Sequence, residues 1–145
     1  MRIAFGLACA LAAAALAGCA STHTPHGGSA ALHRCPSGQT RATTAELVFG
    51  RNIGQTLGVS DADWRKFLDE DVTPRFPEGF SVMDVQGQWR ASNGVLIHEP
   101  SKVVYLILDG GPDDPAKIAN IRDAYKRRFK QEAVLLVTKQ ACVSF

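Results

Sequence analysis

The feature that most constrains the fold is the seven-residue run Lys102–Leu108, which reads KVVYLIL. Its β-branched and aromatic content predicts a β-strand. The run is apolar at odd and even positions alike, as strands that are buried on both faces are. Val103, Tyr105 and Ile107 would then line one face of a sheet, and Val104, Leu106 and Leu108 the other. The sheet that contains this strand therefore needs a cover on both faces.

Two helices are predicted on either side of this region. Ser60 and Asp63 stand at the N-cap and capping-box positions of the first helix. Pro115 begins the second helix. Each helix has an apolar stripe at helical spacing. The stripes comprise Trp64, Phe67 and Leu68, and then Ile118, Ile121, Tyr125 and Phe129.

The remaining strands complete a β-α-β-β-α-β order. Strands are predicted at Glu46–Gly50, at 79–90, at 95–97 with a break at Pro100 before Lys102–Leu108, and from Ala133 toward Cys142. Asn93-Gly94 is a hairpin turn signal. This order predicts an α+β, ferredoxin-like fold with an antiparallel four-stranded sheet. Both helices would cover one face. Either residues 30–45, held by Cys35, or a second copy in a homodimer would cover the other.

The N-terminus predicts export. One positive charge, an apolar run to Leu16 and small residues before Cys19 are typical of a signal peptide over residues 1–18. Leu16-Ala17-Gly18-Cys19 also resembles the lipobox of bacterial lipoproteins, which implies lipid on Cys19 and anchoring to a membrane. The alternative is a chance cysteine beside an ordinary cleavage site. The residues after Cys19 include no Asp, and in this they resemble lipoproteins that are sorted to the periplasmic face of the outer membrane.

Residues 19–43 are predicted to be a flexible tether, because they are too poor in large apolar side chains to fold alone. Residues 44–145 form a single domain. His23, His26 and His33 lie in the tether without the further ligands that a metal site needs.

Two of the four cysteines remain once Cys9 is removed with the signal peptide and Cys19 is acylated. In an oxidising compartment the simplest interpretation is a disulfide between Cys35 and Cys142. It would close a loop of about 108 residues and contribute about 4–5 kcal/mol in the chain-entropy model. Two unpaired thiols are the alternative.

The motif TPRFPEGFSVMDVQGQWR at Thr73–Arg90, followed by EPSK at Glu99–Lys102 and a closing ACVSF, resembles a family of bacterial lipoproteins classified as DUF3574. The resemblance covers residues 44–145. It implies export and lipidation in many members, and it implies no activity.

Polar side chains alternate along the strand that ends at Arg90. Asp84, Gln88 and Arg90 are predicted to form a row on the open sheet face. Arg75, Glu99 and Lys102 are candidates to join it. Such a row could bind a small anionic ligand through arginine forks. It could equally be a salt-bridge ladder on an edge strand.

The mature chain has 15 basic and 14 acidic side chains after Arg2 is removed, so nucleic acid is not an expected partner. Asp84 or Glu99 could serve as a general acid or base, but no nucleophile is paired with a base. We therefore expect no catalytic set, metal site or cofactor. The leading hypothesis is a non-catalytic module in the cell envelope that binds an envelope protein or a small ligand. The alternative is a small envelope enzyme that uses the open face of the sheet.

Overall fold

The computed structural model describes residues 34–145. The predicted signal peptide, Cys19 and the first part of the predicted tether lie outside these residues. The described elements follow one another along the chain. They are β1 (Thr40–Gly50), β2 (Asn52–Ile53), β3 (Thr56–Leu57), α1 (Asp61–Phe67), a π-helical turn (Leu68–Val72), β4 (Ser81–Arg90), β5 (Leu96–Leu108), α2 (Asp114–Phe129) and β6 (Leu135–Val143).

Four strands form an antiparallel sheet in the order β4-β5-β1-β6. The two central strands, β1 and β5, are the first and third long strands of the chain. With a helix after β1 and another after β5, this is the predicted ferredoxin-like arrangement. The prediction of an α+β fold is confirmed.

The hydrophobic core lies between the two helices and one face of the sheet. Phe49 of β1 makes edge-to-face contacts with the rings of Trp64, Phe67 and Tyr125, at centroid distances of 4.7 to 5.6 Å. Leu47 lies opposite Val104 in the register, and both are fully buried. The predicted helix stripes therefore cover the Val104 side of β5.

The other side of the sheet, which we call the open face, carries the side chains that alternate away from the helices. They are the even-numbered residues of β1 and the odd-numbered residues of β4, β5 and β6. Val103, Tyr105 and Ile107 lie here and are absent from the core cluster.

The two helices begin as their sequences predict. The Ser60 hydroxyl accepts a hydrogen bond from the Asp63 backbone N–H at 3.1 Å, and the Asp63 carboxylate accepts one from the Ser60 backbone N–H at 3.3 Å. This capping box satisfies N–H groups that the first turn leaves without helical partners. Pro115 lies in the first turn of α2.

The strand boundaries differ most from the prediction at three points. β1 begins at Thr40, so residues 40–43, which were expected in the tether, pair with β6. The sequence did not predict a strand here because residues 40–43 include no large apolar side chain. β5 is continuous through Pro100. Pro100 lies just beyond the last β1–β5 pair, where its carbonyl accepts a hydrogen bond from the Arg51 backbone N–H at 3.1 Å. The Arg51 carbonyl accepts from the backbone N–H groups of Gly58 and Val59, so the missing N–H of Pro100 leaves no acceptor without a partner. The last strand begins at Leu135 rather than at Ala133.

The predicted disulfide between Cys35 and Cys142 is present, with a Cα–Cα distance of 5.5 Å. Cys142 lies opposite Arg41, on the side of β6 that faces the helices. Residues 36–39 are exposed. The expectation that residues 30–45 cover the open face is therefore wrong for the described part of this segment. Residues 40–45 belong to the sheet itself, and Cys35 is fastened on its opposite side.

Candidate functional site

The polar row predicted on the open face lies on the other side of the sheet. Val82 pairs with Val104, which belongs to the core, so the even-numbered residues of β4 point to the helix side. Asp84 follows this alternation and makes an ion pair of 2.5 Å with Lys102. Alternation along a strand separates two faces, but it does not tell which of them the helices cover. The assumption that the polar set faces away from the helices was wrong.

The predicted site residues are not brought together. Arg75 donates to the Asp71 backbone carbonyl at 2.6 Å, just after α1. Arg90 donates to the Gly94 carbonyl at 2.9 Å, in the turn between β4 and β5. Lys102 pairs with Asp84, as described above, and lies 3.8 Å from Asp61 at the start of α1. These three cations make contacts within the domain and do not form an anion site.

Glu99 and Gln88, by contrast, line a cleft at one end of the open face. The cleft has a volume of about 290 Å³. It opens between β1, β4 and β5, with the loop before β6 on one side. Its apolar wall comes from Val48, Trp89, Ala133 and Leu135. A volume of this order approaches the lower end of small-molecule sites.

Glu99 is the only charged residue among those that line the cleft. It is only 7% exposed. Its Oε2 atom accepts a hydrogen bond from the Asn52 backbone N–H at 3.0 Å. Within residues 34–145, no lysine, arginine or histidine forms an ion pair with it. Buried carboxylates are normally paired with a cation because leaving water is costly, so this one lacks an expected partner.

Two glycines allow close approach at the cleft, one of the Glu99 side chain and the other of the Ser101 side chain. A Cβ atom at Gly50 would overlap the Glu99 carboxylate. A Cβ atom at Gly87, directly opposite Glu99 in the register, would lie 2.9 Å from the Ser101 hydroxyl oxygen. Glycine inside a strand often marks such close approach. Gly87, in the middle of β4, is therefore the sequence signal that could have located the cleft.

Trp89 stands beside Glu99 on the open face and supplies the cleft with an aromatic surface. Its Nε1 atom is the one buried side-chain polar atom in the described part of the chain that has no hydrogen-bond partner. Buried indole N–H groups usually find an acceptor. Trp89 was not among the residues that the sequence predicted for the site.

The corner after β1 holds Glu99 in place. The Tyr125 hydroxyl donates to the Gly50 carbonyl at 2.8 Å. Gln131 donates to the Asn52 carbonyl at 2.6 Å, and the Asn52 amide donates to the His98 carbonyl at 3.2 Å. Burial raises the pKa of the Tyr125 phenol well above its usual value, so the hydroxyl remains a donor at every physiological pH. The cleft is therefore built on a hydrogen-bonded scaffold.

The chemistry of the cleft favours binding of a molecule that brings its own hydrogen-bond donor. A fixed carboxylate at the base attracts an ammonium or another cation, and the surrounding apolar wall accepts a hydrocarbon or aromatic body. The described residues contain no group of three or more side chains arranged to hold a metal ion. Neither described helix is long and apolar enough to cross a membrane.

Topology and site together define a class: a ferredoxin-like α+β domain with a cleft on the open face of its sheet. The chain belongs to the family described as protein of unknown function DUF3574, which matches residues 44–145. Among proteins with curated descriptions, none matches it.

Solved structures with the same fold include a phage SAM lyase in complex with S-methyl-5'-thioadenosine. That structure has 19% sequence identity and a TM-score of 0.57, covering 77% of this chain and 94% of the lyase chain. The apo state of phage SAM lyase matches with 17% identity and a TM-score of 0.56, over the same shares of the two chains. At this identity the likeness shows the fold alone.

Proposed function

We propose that the protein is a lipid-anchored, periplasmic binding module that holds a small organic cation in the Glu99 cleft. The observation that carries this proposal is the buried Glu99 carboxylate, which has a single backbone donor and no cationic partner among the described residues. The lipid anchor on Cys19 rests on the signal-peptide and lipobox pattern.

The ligand that this cleft favours differs in charge from the one expected from the sequence. An anionic ligand was expected because Arg75 and Arg90 were placed in the site. Both arginines have partners elsewhere, and the cleft carries one negative charge. A cation over the Trp89 ring would gain from the electrostatics of the aromatic face as well as from the carboxylate.

SAM and S-methyl-5'-thioadenosine are a suitable first pair of probes. Both carry the same adenosine group, but SAM also has a positively charged sulfonium and an amino-acid end with an ammonium and a carboxylate group, so its net charge is positive. If Glu99 recognises charge, SAM should bind more tightly than the neutral thioether by more than about tenfold. Titration calorimetry with the purified protein measures both affinities, and choline and phenethylamine extend the series to cations without a nucleoside.

Glu99→Gln should abolish the preference for cations, because it keeps the shape of the side chain and removes its charge. Glu46→Gln is the matched control. Glu46 lies on the same face but already pairs with Lys139 at 2.8 Å, away from the cleft. Failure of every cation in the series to bind, or an equal effect of the two substitutions, would contradict the proposal.

A small envelope enzyme is the second candidate, and a specific observation favours it. The cleft contains a carboxylate that could act as a general acid or base, and a lyase shares the fold. Chromatography after prolonged incubation with SAM separates the two functions. A binding module leaves SAM intact at many equivalents of ligand. An enzyme consumes it, and Glu99→Gln abolishes the consumption.

A further inference from the structure

The open face carries an apolar surface that extends well beyond the cleft. Apolar side chains from all four strands of the sheet lie on it. They include Val48, Met83, Val85, Val103, Tyr105, Ile107, Leu135 and Val137, of which Val103 is buried. Met83, Leu135 and Val137 count among the exposed large hydrophobic residues of the domain. Monomeric soluble domains seldom expose contiguous patches of this kind.

Neither described helix packs on this face, although Thr44, Ser101 and Val103 at its centre are buried and only its margins are exposed. Both helices pack on the opposite side, where they contact Leu47, Phe49 and Val104. The segment before β1 is fastened through Cys35 to Cys142, which also lies on the helix side of β6. The helices and the Cys35 segment of the same copy therefore do not cover the exposed part of this face.

We propose that a second copy of this chain covers the open face, so that two sheets pack face to face in a symmetric homodimer. The dimensions of the face suit this occupant. Four strands spaced about 4.8 Å apart, with β1 and β5 paired over eight residues of about 3.4 Å each, give a footprint of about 500 Å² per copy. Two copies together then bury about 1,000 Å², the lower bound for a specific interface.

The charges of the open face also suit a second copy. A symmetric interface brings identical surfaces together, so a face with net charge would repel itself. The two charges on the outer surface of this face, Glu46 and Lys139, neutralise each other in an ion pair of 2.8 Å, and the unpaired Glu99 carboxylate is buried at 7% exposure. The cleft, with Glu99, lies on the same face, so the second copy would lie over its mouth. The inference rests on the whole apolar face and is independent of whether the cleft binds a cation.

Met83 and Val82 provide a matched pair of test positions. They are neighbours in β4 with similar exposure, 45% and 39%, but only Met83 lies on the open face. We would compare Met83→Glu with Val82→Glu in the full-length protein. Val137→Glu, on the open face, and Leu57→Glu, in the β2–β3 hairpin, form a second pair.

The assay co-expresses two full-length copies with different epitope tags and measures their co-purification from mild detergent. The two tagged copies should co-purify for the parent protein and for the controls Val82→Glu and Leu57→Glu. The amount of co-purified protein should fall at least tenfold for Met83→Glu and Val137→Glu. Circular dichroism melts of each variant confirm that it is folded. Glu99→Gln should still dimerise, which separates this proposal from the ligand proposal. A parent protein that does not self-associate, or equal behaviour of folded Met83→Glu and Val82→Glu, would overturn the proposal.

Discussion

The disulfide between Cys35 and Cys142 is expected to supply a large part of the stability of this domain. It links residues 107 positions apart, so it closes a loop that contains nearly all of the described chain. The chain-entropy relation assigns about 4.8 kcal/mol at 25 °C to a loop of this length. Because small domains are stable by only about 5–15 kcal/mol, we predict that the Cys35→Ser/Cys142→Ser double variant is marginally folded.

The position of the disulfide in the sheet means that its removal should also loosen the pairing of β1 with β6, in addition to lowering the stability of the whole domain. Cys142 lies opposite Arg41, near the start of β1 and the end of β6. β6 is an edge strand that pairs with β1 alone, so the disulfide fastens the strand at the open edge of its only ladder. Without it, the ends of β1 and β6 can separate before the core around Leu47 and Phe49 unfolds.

Urea unfolding of a soluble form that begins at Ser21 measures the effect. The midpoint of the double variant should fall, and its thermal midpoint should drop by about 20 °C, at about 4 °C per kcal/mol. Reduction of the parent protein should reproduce the double variant. The double variant is preferred to a single one, which would leave a reactive thiol. A loss below about 1 kcal/mol with an unchanged m-value would refute the reasoning, because the unfolded chain would then gain little freedom.

Three further predictions test other parts of the structure. Tyr125→Phe should cost about 1 kcal/mol in urea unfolding because the hydrogen bond to the Gly50 carbonyl is lost, whereas Tyr105→Phe on the open face should change stability by less than about 0.5 kcal/mol; equal losses would contradict the assignment. Ser60→Ala should cost about 1 kcal/mol at pH 7 through the lost N-cap. The Ser60 side-chain and backbone hydrogen bonds lower the pKa of Asp63 below its usual 3.8. The ionised carboxylate therefore stabilises the fold above pH 3.8, and this contribution is lost as the pH falls through the folded pKa. The stability deficit of Ser60→Ala should shrink in unfolding measured at about pH 3, and a deficit independent of pH would contradict this origin. Cys19→Ser should release the protein from salt-washed membranes in cell fractionation, and a variant that stays bound would refute the lipid anchor.

The sequence by itself determined the order of the four long strands and the two α-helices, but not the short β2–β3 hairpin or the π-helical turn. Helix signals are local: the capping box at Ser60 and the stripe that includes Tyr125 and Phe129 depend on residues within a few turns of each other. The disulfide followed from counting the cysteines left after export. These inferences succeeded because each rests on short-range chemistry or on simple elimination.

The tertiary structure alone decided which face of each strand meets the helices and which side chains share a cleft. Alternation in β4 separated Asp84 from Trp89 correctly, but only the pairing of Val82 with Val104 shows that Asp84 lies on the helix side. The Glu99 carboxylate is buried in space that Gly50, 49 residues away in the chain, leaves by lacking a side chain. Register and burial depend on contacts between distant segments, and no local pattern contains them.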